Sequence, residues 1–291
     1  MNDNKLLYGK KLADAIFEYV ANNVERFKTE GISPRLVTIQ VGEDQASQVY
    51  LASQMRSAEK VGIKSELVSL PESASQSTVE KTIEQMNNDS TIHGIMLHMP
   101  LPDHLDGQIL QWKIDGRKDV EGVTPSNLGR LFLGKPRLAP CTALSAIELI
   151  KSTGVKLRGL EATVVGRSDI AGKPVGVMLT NLDCTVTICH SGTSESGMLK
   201  NHIELADILV VSVGKPNFVS GDWIKPGAIV IDVGINYVDG KLVGDVEFEE
   251  AVKRAKFITP VPGGVGGVTV AYLFKNLIDA IIWQNELGGI A

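Results

Sequence analysis

Four short apolar runs in the second half of the chain constrain its fold most. They are residues 161–166 (EATVVG), 184–189 (CTVTIC), 208–213 (ILVVSV) and 228–233 (AIVIDV). Each has the length of a strand rather than of a helix, and the last two are apolar enough to be buried on both faces, as strands of parallel sheets are. Residues 174–182 between the first two runs carry a helical pattern, with Pro174 suited to a first turn. This alternation predicts a doubly wound parallel sheet.

The first half repeats the theme. Residues 10–30 place Leu12, Ile16, Tyr19, Val20, Val24 and Phe27 at helical spacing, and Gly31 follows as a stop. A strand is expected at 35–41, a turn at 42–47, a helix at 48–61, a strand at 63–70 and a helix at 78–88. The apolar run 93–99 is broken by Pro100 and Pro102. Residues 103–140 have weak periodicity and read as site loops and an interdomain junction rather than core. Residues 142–152 return to a helical pattern, with Thr142 placed as a cap. A long apolar helix at 269–284 is expected to pack back on the first domain. The fold class is therefore α/β: a three-layer α/β domain at 1–139 completed by 269–291, a Rossmann-type domain at 140–268, and a cleft between them.

Composition narrows the partners. A net charge of −5 over 291 residues leaves no cationic surplus for a phosphate backbone, so nucleic acid is not an expected partner. The N-terminus has no apolar core of a signal peptide, and no apolar run reads as long enough to span a bilayer, so no membrane is expected either. The three cysteines, Cys141, Cys184 and Cys189, match no zinc spacing, and their odd number argues against a disulfide framework. A cytoplasmic location is the simple reading, and with five histidines and no HExxH pattern no catalytic metal is expected.

The first run of the second half ends in Gly166-Arg167-Ser168-Asp169-Ile170-Ala171-Gly172-Lys173-Pro174, not in GxGxxG. The physics is still that of an anion site: a strand ends, glycine permits a tight turn, and a helix starts with free N–H groups. Arg167 can pair a phosphate. An acid at the end of the next strand would select NAD through the ribose. This chain has Cys189-His190-Ser191 there, with no acid before Glu195. That favours a 2′-phosphate and hence NADP, against the alternative of an ordinary surface turn with an exposed arginine. The loops at Val213-Gly214-Lys215 and Asp232-Val233-Gly234-Ile235 follow strands and can line the same cleft, although Asp232 can equally be a structural cap. The loop 260–267 (PVPGGVGG), with Pro262 and Gly263, suits close approach of backbone to a ligand, or a hinge.

Taken together, GEDQASQVY at 42–50, VGRSDIAGKP at 165–174, Cys189-His190-Ser191, WIKPGAIVIDVGIN at 223–236, Gly244-Asp245-Val246 and ITPVPGGVG at 258–266 resemble one family over nearly the whole chain. It is the bifunctional methylenetetrahydrofolate dehydrogenase/methenyltetrahydrofolate cyclohydrolase family, known in bacteria as FolD. The resemblance implies a homodimer, NADP as cofactor, a folate-type substrate, hydride transfer giving a methenyl cation, and hydrolysis of that cation. It implies no metal. It implies cofactor contacts at Gly166, Arg167, Ser168, His190, Ser191, Gly214 and Ile235. It also implies substrate contacts at Tyr50, His98, Met99, Pro100, Glu121, Pro262 and Gly263.

Three places in the catalytic pocket depart from the family pattern. Its catalytic lysine, four residues after Tyr50 and so on the same helix face, is Gln54 here. His98-Met99 replaces a glutamine-leucine pair, and Glu121 stands where aspartate holds the pterin. Arg56 stays protonated, and Lys60 lies too far along the helix to substitute. Hydride transfer needs alignment of two rings, whereas hydrolysis needs a titrating group, and an amide does not titrate. Tyr50, Gln54, His98 and Glu121 are thus the candidate catalytic residues. The expectation is a dehydrogenase whose cyclohydrolase activity is lost or severely weakened. The alternatives are a bifunctional enzyme in which His98 and Glu121 compensate, a relative acting on another one-carbon or pterin compound, or a non-catalytic binding protein.

Overall fold

A computed structural model of the chain describes residues 5–42 and 45–288, with side chains at 45–50, 53, 287 and 288 outside the description. Two compact units result, one of residues 15–139 and 273–291, the other of 1–14 and 140–272. Residues 5–14, expected with the first domain, group instead with the nucleotide-type unit. Leu6 bridges Ile258, Leu7 N–H donates to the Ile258 carbonyl and Gly9 N–H to the Gly263 carbonyl.

In the unit of 15–139 and 273–291, helix α1 (Lys10–Thr29) buries Ile16, Val20, Val24 and Phe27 at three- and four-residue spacing. Strands β1 (Arg35–Val41), β2 (Lys64–Leu70) and β3 (Gly94–Leu97) form a parallel sheet in the order β2-β1-β3. The central strand, β1, is buried from Leu36 to Val41, while the edge strand β2 is partly exposed. Helix α2 (Gln45–Lys60) joins β1 to β2, and α3 (Gln76–Asn88) joins β2 to β3. Ser75 caps α3 by accepting the Thr78 N–H at 3.2 Å, and Val79, Ile83 and Met86 face the core.

Residues 103–140 differ from their expected loop character. They form α4 (Gly107–Lys113), capped by Asp106, and α5 (Pro125–Phe132), with Pro125 in its first turn. Leu105, Leu110, Ile114, Val120, Val123, Leu131 and Leu138 are buried. Each element is barely two turns long and buries few side chains, which is too little for periodicity to register.

The unit of 1–14 and 140–272 holds α6 (Cys141–Ser152), β4 (Glu161–Val165), α7 (Gly172–Thr180), β5 (Thr185–Cys189), α8 (Ser191–Glu195), α9 (Leu199–Leu205), β6 (Ile208–Val211), β7 (Ile229–Asp232), the antiparallel hairpin β8 (Asn236–Val238) and β9 (Lys241–Val243), α10 (Phe248–Arg254) and β10 (Phe257–Ile258). The five-stranded parallel sheet runs β10-β7-β6-β4-β5. Consecutive strands β5 and β6 therefore lie on opposite sides of β4, which creates a topological switch point beyond the ends of these strands. Thr142 lies inside α6, one residue past its first position, and Pro140 stands at the cap, so Thr142 is not the cap expected. All three cysteines are buried and free.

Helix α11 (Val265–Gly288) starts in this unit and continues in the other. Contrary to expectation, Val265–Glu286 is long and apolar enough to cross a membrane by length and composition. Glycines at 266 and 267 extend the apolar stretch beyond the residues first read as helix, and Lys275 and Asp279 neutralise each other at 2.7 Å. Most of it is buried in the protein, including Phe274, Leu277, Ile278 and Ile281, as in the core helix of a globular protein.

Candidate functional site

The end of β3 gathers the three unusual residues. Gln54 on α2 is 1% exposed and directs its amide Nε2 at the Met96 sulfur, 3.6 Å away. His98, the residue after β3, is buried, and its backbone N–H donates to the Ile39 carbonyl at 2.8 Å. Residues 118–121 run beside β3: Ile95 N–H donates to the Lys118 carbonyl at 2.7 Å, and Ile95 bridges Asp119. That alignment brings the Glu121 carboxyl to the Leu97 backbone N–H, which hydrogen-bonds it. Met96, Leu97 and His98 are consecutive, so Gln54, His98 and Glu121 share one neighbourhood in this unit. Met99 and Pro100 follow His98 as exposed residues joined by a cis peptide bond. Tyr50 lies on α2, but its side chain falls outside the described residues.

Burial dominates the electrostatics here. Desolvation, reinforced by the negative charge of Asp119, pushes the Glu121 carboxyl up to about 8, and the Leu97 N–H offsets only part of this. Near neutral pH the group therefore holds a proton and can also release it. Asp119, which sequence reasoning does not single out, positions the segment. Its carboxylate accepts the N–H of Gly122 (2.9 Å), the N–H of Thr124 (2.8 Å) and the Asn127 side-chain amide (2.9 Å). Among the described residues, Gln54 Oε1 is buried without a hydrogen-bond partner. An orphan acceptor of that kind marks a place where a ligand or water completes the set.

In the unit of 140–272, the switch point opens into a cavity of about 280 Å³. Its walls come from the ends of β4 (Gly166, Arg167), β5 (His190, Ser191) and β6 (Ser212, Val213, Lys215). Gly166 takes φ +122°, and a Cβ there would strike the Ser212 carbonyl; one on Gly172 would strike the Gly166 carbonyl. Glycine at both positions lets strand end, loop and α7 close on one another. Ser212 Oγ is buried without a partner among the described residues. An orphan hydroxyl, a guanidinium and a strand end lacking an acid are the groups a phosphorylated dinucleotide requires.

The other expected cofactor residues separate. Ser168 is not among the residues lining this cavity; its hydroxyl accepts the Gly172 N–H at 3.4 Å and its carbonyl the Lys173 N–H at 3.1 Å, at the start of α7. His190 lines it while accepting the Gly192 N–H on Nδ1 at 3.2 Å. Gly214 gives its N–H to Asp245 instead of the cavity. Ile235, Pro262 and Gly263 line a second cavity of about 130 Å³ in the same unit. Asp232 also borders that cavity, yet its carboxylate is consumed by backbone N–H groups of Gly234, Asp245 and Val246. The structural-cap alternative is therefore the one its bonds favour.

Comparison with known proteins agrees with this layout. Residues 7–121 match the family described as tetrahydrofolate dehydrogenase/cyclohydrolase, catalytic domain, and residues 140–285 match its NAD(P)-binding domain. Bifunctional protein FolD of Moorella thermoacetica is 48% identical over 277 residues, which cover 95% of this chain and 98% of that protein. The protein of the same name from Nitratiruptor sp. is 47% identical over 277 residues, covering 95% and 97%. Among solved structures, the bifunctional enzyme FolD of Campylobacter jejuni superposes with TM-score 0.92 at 39% identity, covering 96% of this chain and 99% of that one. The Trypanosoma brucei enzyme, solved with NADP cofactor and an inhibitor, gives TM-score 0.90 at 38% identity, covering 96% and 97%.

These relatives overturn the expectation that cyclohydrolase activity is lost. Near-full-length proteins this similar are named bifunctional. In sequence and architecture, this chain belongs to the tetrahydrofolate dehydrogenase/cyclohydrolase family.

Proposed function

We propose that the chain is a bifunctional enzyme of one-carbon metabolism. It oxidises 5,10-methylenetetrahydrofolate with NADP+ and hydrolyses the resulting 5,10-methenyl cation to 10-formyltetrahydrofolate, with Glu121 and His98 carrying the acid–base duty. The observation that carries this reading is the shared position of Gln54, His98 and Glu121 at the end of β3, with the Glu121 carboxyl at about 8.

General acid–base catalysis works best with a group whose proton affinity lies near the working pH. Hydrolysis needs one proton taken from the attacking water, one delivered to the nitrogen as the carbon–nitrogen bond opens, and the hydroxyl proton of the adduct released to solvent as the formyl carbonyl forms. Glu121 can do the first two in turn, as carboxylate and then as carboxylic acid. His98 adds a second titratable ring in reach of the same strand end. Gln54 orients: its Nε2 is held by Met96, and its Oε1 remains to accept from substrate or water. Tyr50, Met99 and Pro100 are read as the substrate-facing surface around them.

The residues at the switch point fit NADP. Arg167 and Ser191 suit the 2′-phosphate, Gly166 lets the backbone approach the pyrophosphate, and Ser212 Oγ awaits a partner. Bound NADP+ supplies the hydride acceptor. Ile235, Pro262 and Gly263 offer backbone and apolar contact in the neighbouring cavity. The assembly is read as a homodimer, to be checked by light scattering.

A paired spectroscopic assay tests the function, following NADPH formation and the rise and decay of the methenyl species separately. Enzyme-dependent change in both is expected. A methenyl species that persists at its spontaneous decay rate defeats the bifunctional reading.

A further inference from the structure

Two buried acids lie behind the nucleotide-type cavity. Asp232, at the end of β7, is 4% exposed; Asp245, after β9, is fully buried. Asp232 Oδ1 accepts the N–H of Gly234 (3.0 Å) and of Asp245 (3.0 Å), and Oδ2 accepts that of Val246 (2.9 Å). Asp245 Oδ2 accepts the N–H of Val213 (2.6 Å) and Gly214 (2.9 Å). Its Oδ1 accepts the Lys215 N–H and the Asn236 side-chain amide, each at 2.9 Å. None of these donors is a cation: Lys215 contributes only its backbone, its ammonium lying over the Phe218 ring.

The arrangement is costly. Two like charges share a buried region, and glycine is required on both sides: a Cβ on Gly234 would strike the Asp245 carboxyl, and one on Gly244 the Asp232 carboxyl. What it accomplishes is specific. Three consecutive N–H groups converge on one carboxylate and fix the backbone of 213–215, a loop without regular secondary structure. Val213 and Lys215 are walls of the cavity that also contains Arg167, His190 and Ser191. A clamp on that loop sets the shape of the wall before any ligand arrives.

We infer that Asp245 is a positioning residue for dinucleotide binding, itself oriented by Asp232. This rests on the reading of the switch-point cavity as the NADP site. Asp245→Asn places an amide nitrogen where two donors now point, whichever way the amide lies: Val213 and Gly214 at Oδ2, or Lys215 and Asn236 at Oδ1, so buried donors lose their acceptor. The cavity wall should shift while β4, α7 and Arg167 remain.

The test measures NADP+ affinity by titration calorimetry, steady-state kinetics, thermal unfolding and methenyl hydrolysis without nucleotide, for the natural chain and Asp245→Asn. The expected result is an NADP+ Kd weakened about tenfold or more. KM for NADP+ should rise in step, kcat should change less, and nucleotide-free hydrolysis should persist. A folded variant with unchanged Kd overturns the inference, as does an equal loss of nucleotide binding and hydrolysis. Should Asp245→Asn not fold, Asn236→Ser removes one donor from Oδ1 and must weaken NADP+ binding in the same direction; an unchanged Kd there overturns it too. If the natural chain itself fails to bind NADP+, the cofactor reading falls, and the inference with it.

Discussion

The backbone N–H of Leu97 hydrogen-bonds the carboxyl of Glu121, and this donor stabilises the charged form too weakly to offset burial and Asp119, so the group titrates at about 8. The proposed chemistry follows from that balance. With Glu121 as the base that activates water, hydrolysis of the methenyl species should rise with pH through about 8 as the carboxylate fraction grows. Glu121→Gln keeps an acceptor for the Leu97 N–H but cannot titrate. It should lower hydrolysis by roughly 10²- to 10⁴-fold and flatten that limb, while hydride transfer falls much less. A pH–rate profile of both half-reactions decides this, and an unchanged ascending limb in the variant removes Glu121 from the base role.

The same carboxyl has a stability consequence of definite sign. Its folded value, about 8, lies above the ordinary 4.5 of an unfolded glutamate. Between those values the folded chain holds a proton that the unfolded chain has released, so this group lowers stability as pH rises from about 4.5 to 8 and adds no slope above. Glu121→Gln removes the penalty. Its melting temperature should match the natural chain near pH 4.5 and exceed it at pH 8 by roughly 3 °C or more. Equal melting temperatures at both pH values would show that Glu121 is solvated in solution.

Gln54 should display a trade between stability and binding. Its Oε1 is buried with no partner among the described residues, and its Nε2 donates to the Met96 sulfur. Gln54→Met removes both polar atoms at similar volume, a change that can be neutral or stabilising by about 1 kcal/mol. If Oε1 serves the substrate, the KM for the folate should rise about tenfold in the same variant, with the alkaline limb of hydrolysis retained. Calorimetry with parallel kinetics separates the effects; a variant with unaltered KM would make Gln54 a packing residue alone.

Much of this architecture was legible from sequence, and the rest shows what sequence conceals. Strands β6 and β7 announce themselves because they are apolar on both faces, and Gly166 to Pro174 carries the turn and helix start in its glycines and proline. By contrast, α4 and α5 span 7 and 8 residues, too few for a period of 3.6 to emerge. The hairpin of β8 and β9 has a readable cue in Asp239-Gly240, both at positive φ (49° and 77°) as a type I′ turn demands. Its flanking side chains are largely exposed, so no apolar alternation reinforces that cue. Leu6 pairing with Ile258 is beyond any local signal. For the site, Gln54, His98 and Glu121 stand out by type, but the proton affinity of Glu121 depends on burial and on Asp119, which only the folded chain reveals.

Lys118 offers a test of structure independent of catalysis. This residue is 6% exposed, and its Nζ donates to the carbonyls of Met86 (3.1 Å), Asn87 (2.8 Å) and Asp89 (2.7 Å). Those carbonyls end α3, where backbone donors are few, Asp89 N–H reaching the Met86 carbonyl at 3.3 Å and Ile92 N–H the Asp89 carbonyl at 3.1 Å, so one ammonium ties them together and meets the negative end of the helix dipole. Burial pulls the Lys118 amine below its ordinary value, with the charges of Asp115 and Asp89 opposing. The neighbouring backbone then leads directly to Asp119 and Glu121. Lys118→Met keeps the length of the stem but leaves three carbonyls without this donor, and should cost about 2–3 kcal/mol. A lower urea midpoint with an unchanged slope is the expected signature. Hydrogen exchange should quicken first at the end of α3. A variant as stable as the natural chain would mean that water replaces the ammonium there, and that the α3 terminus does not help anchor the segment bearing Glu121.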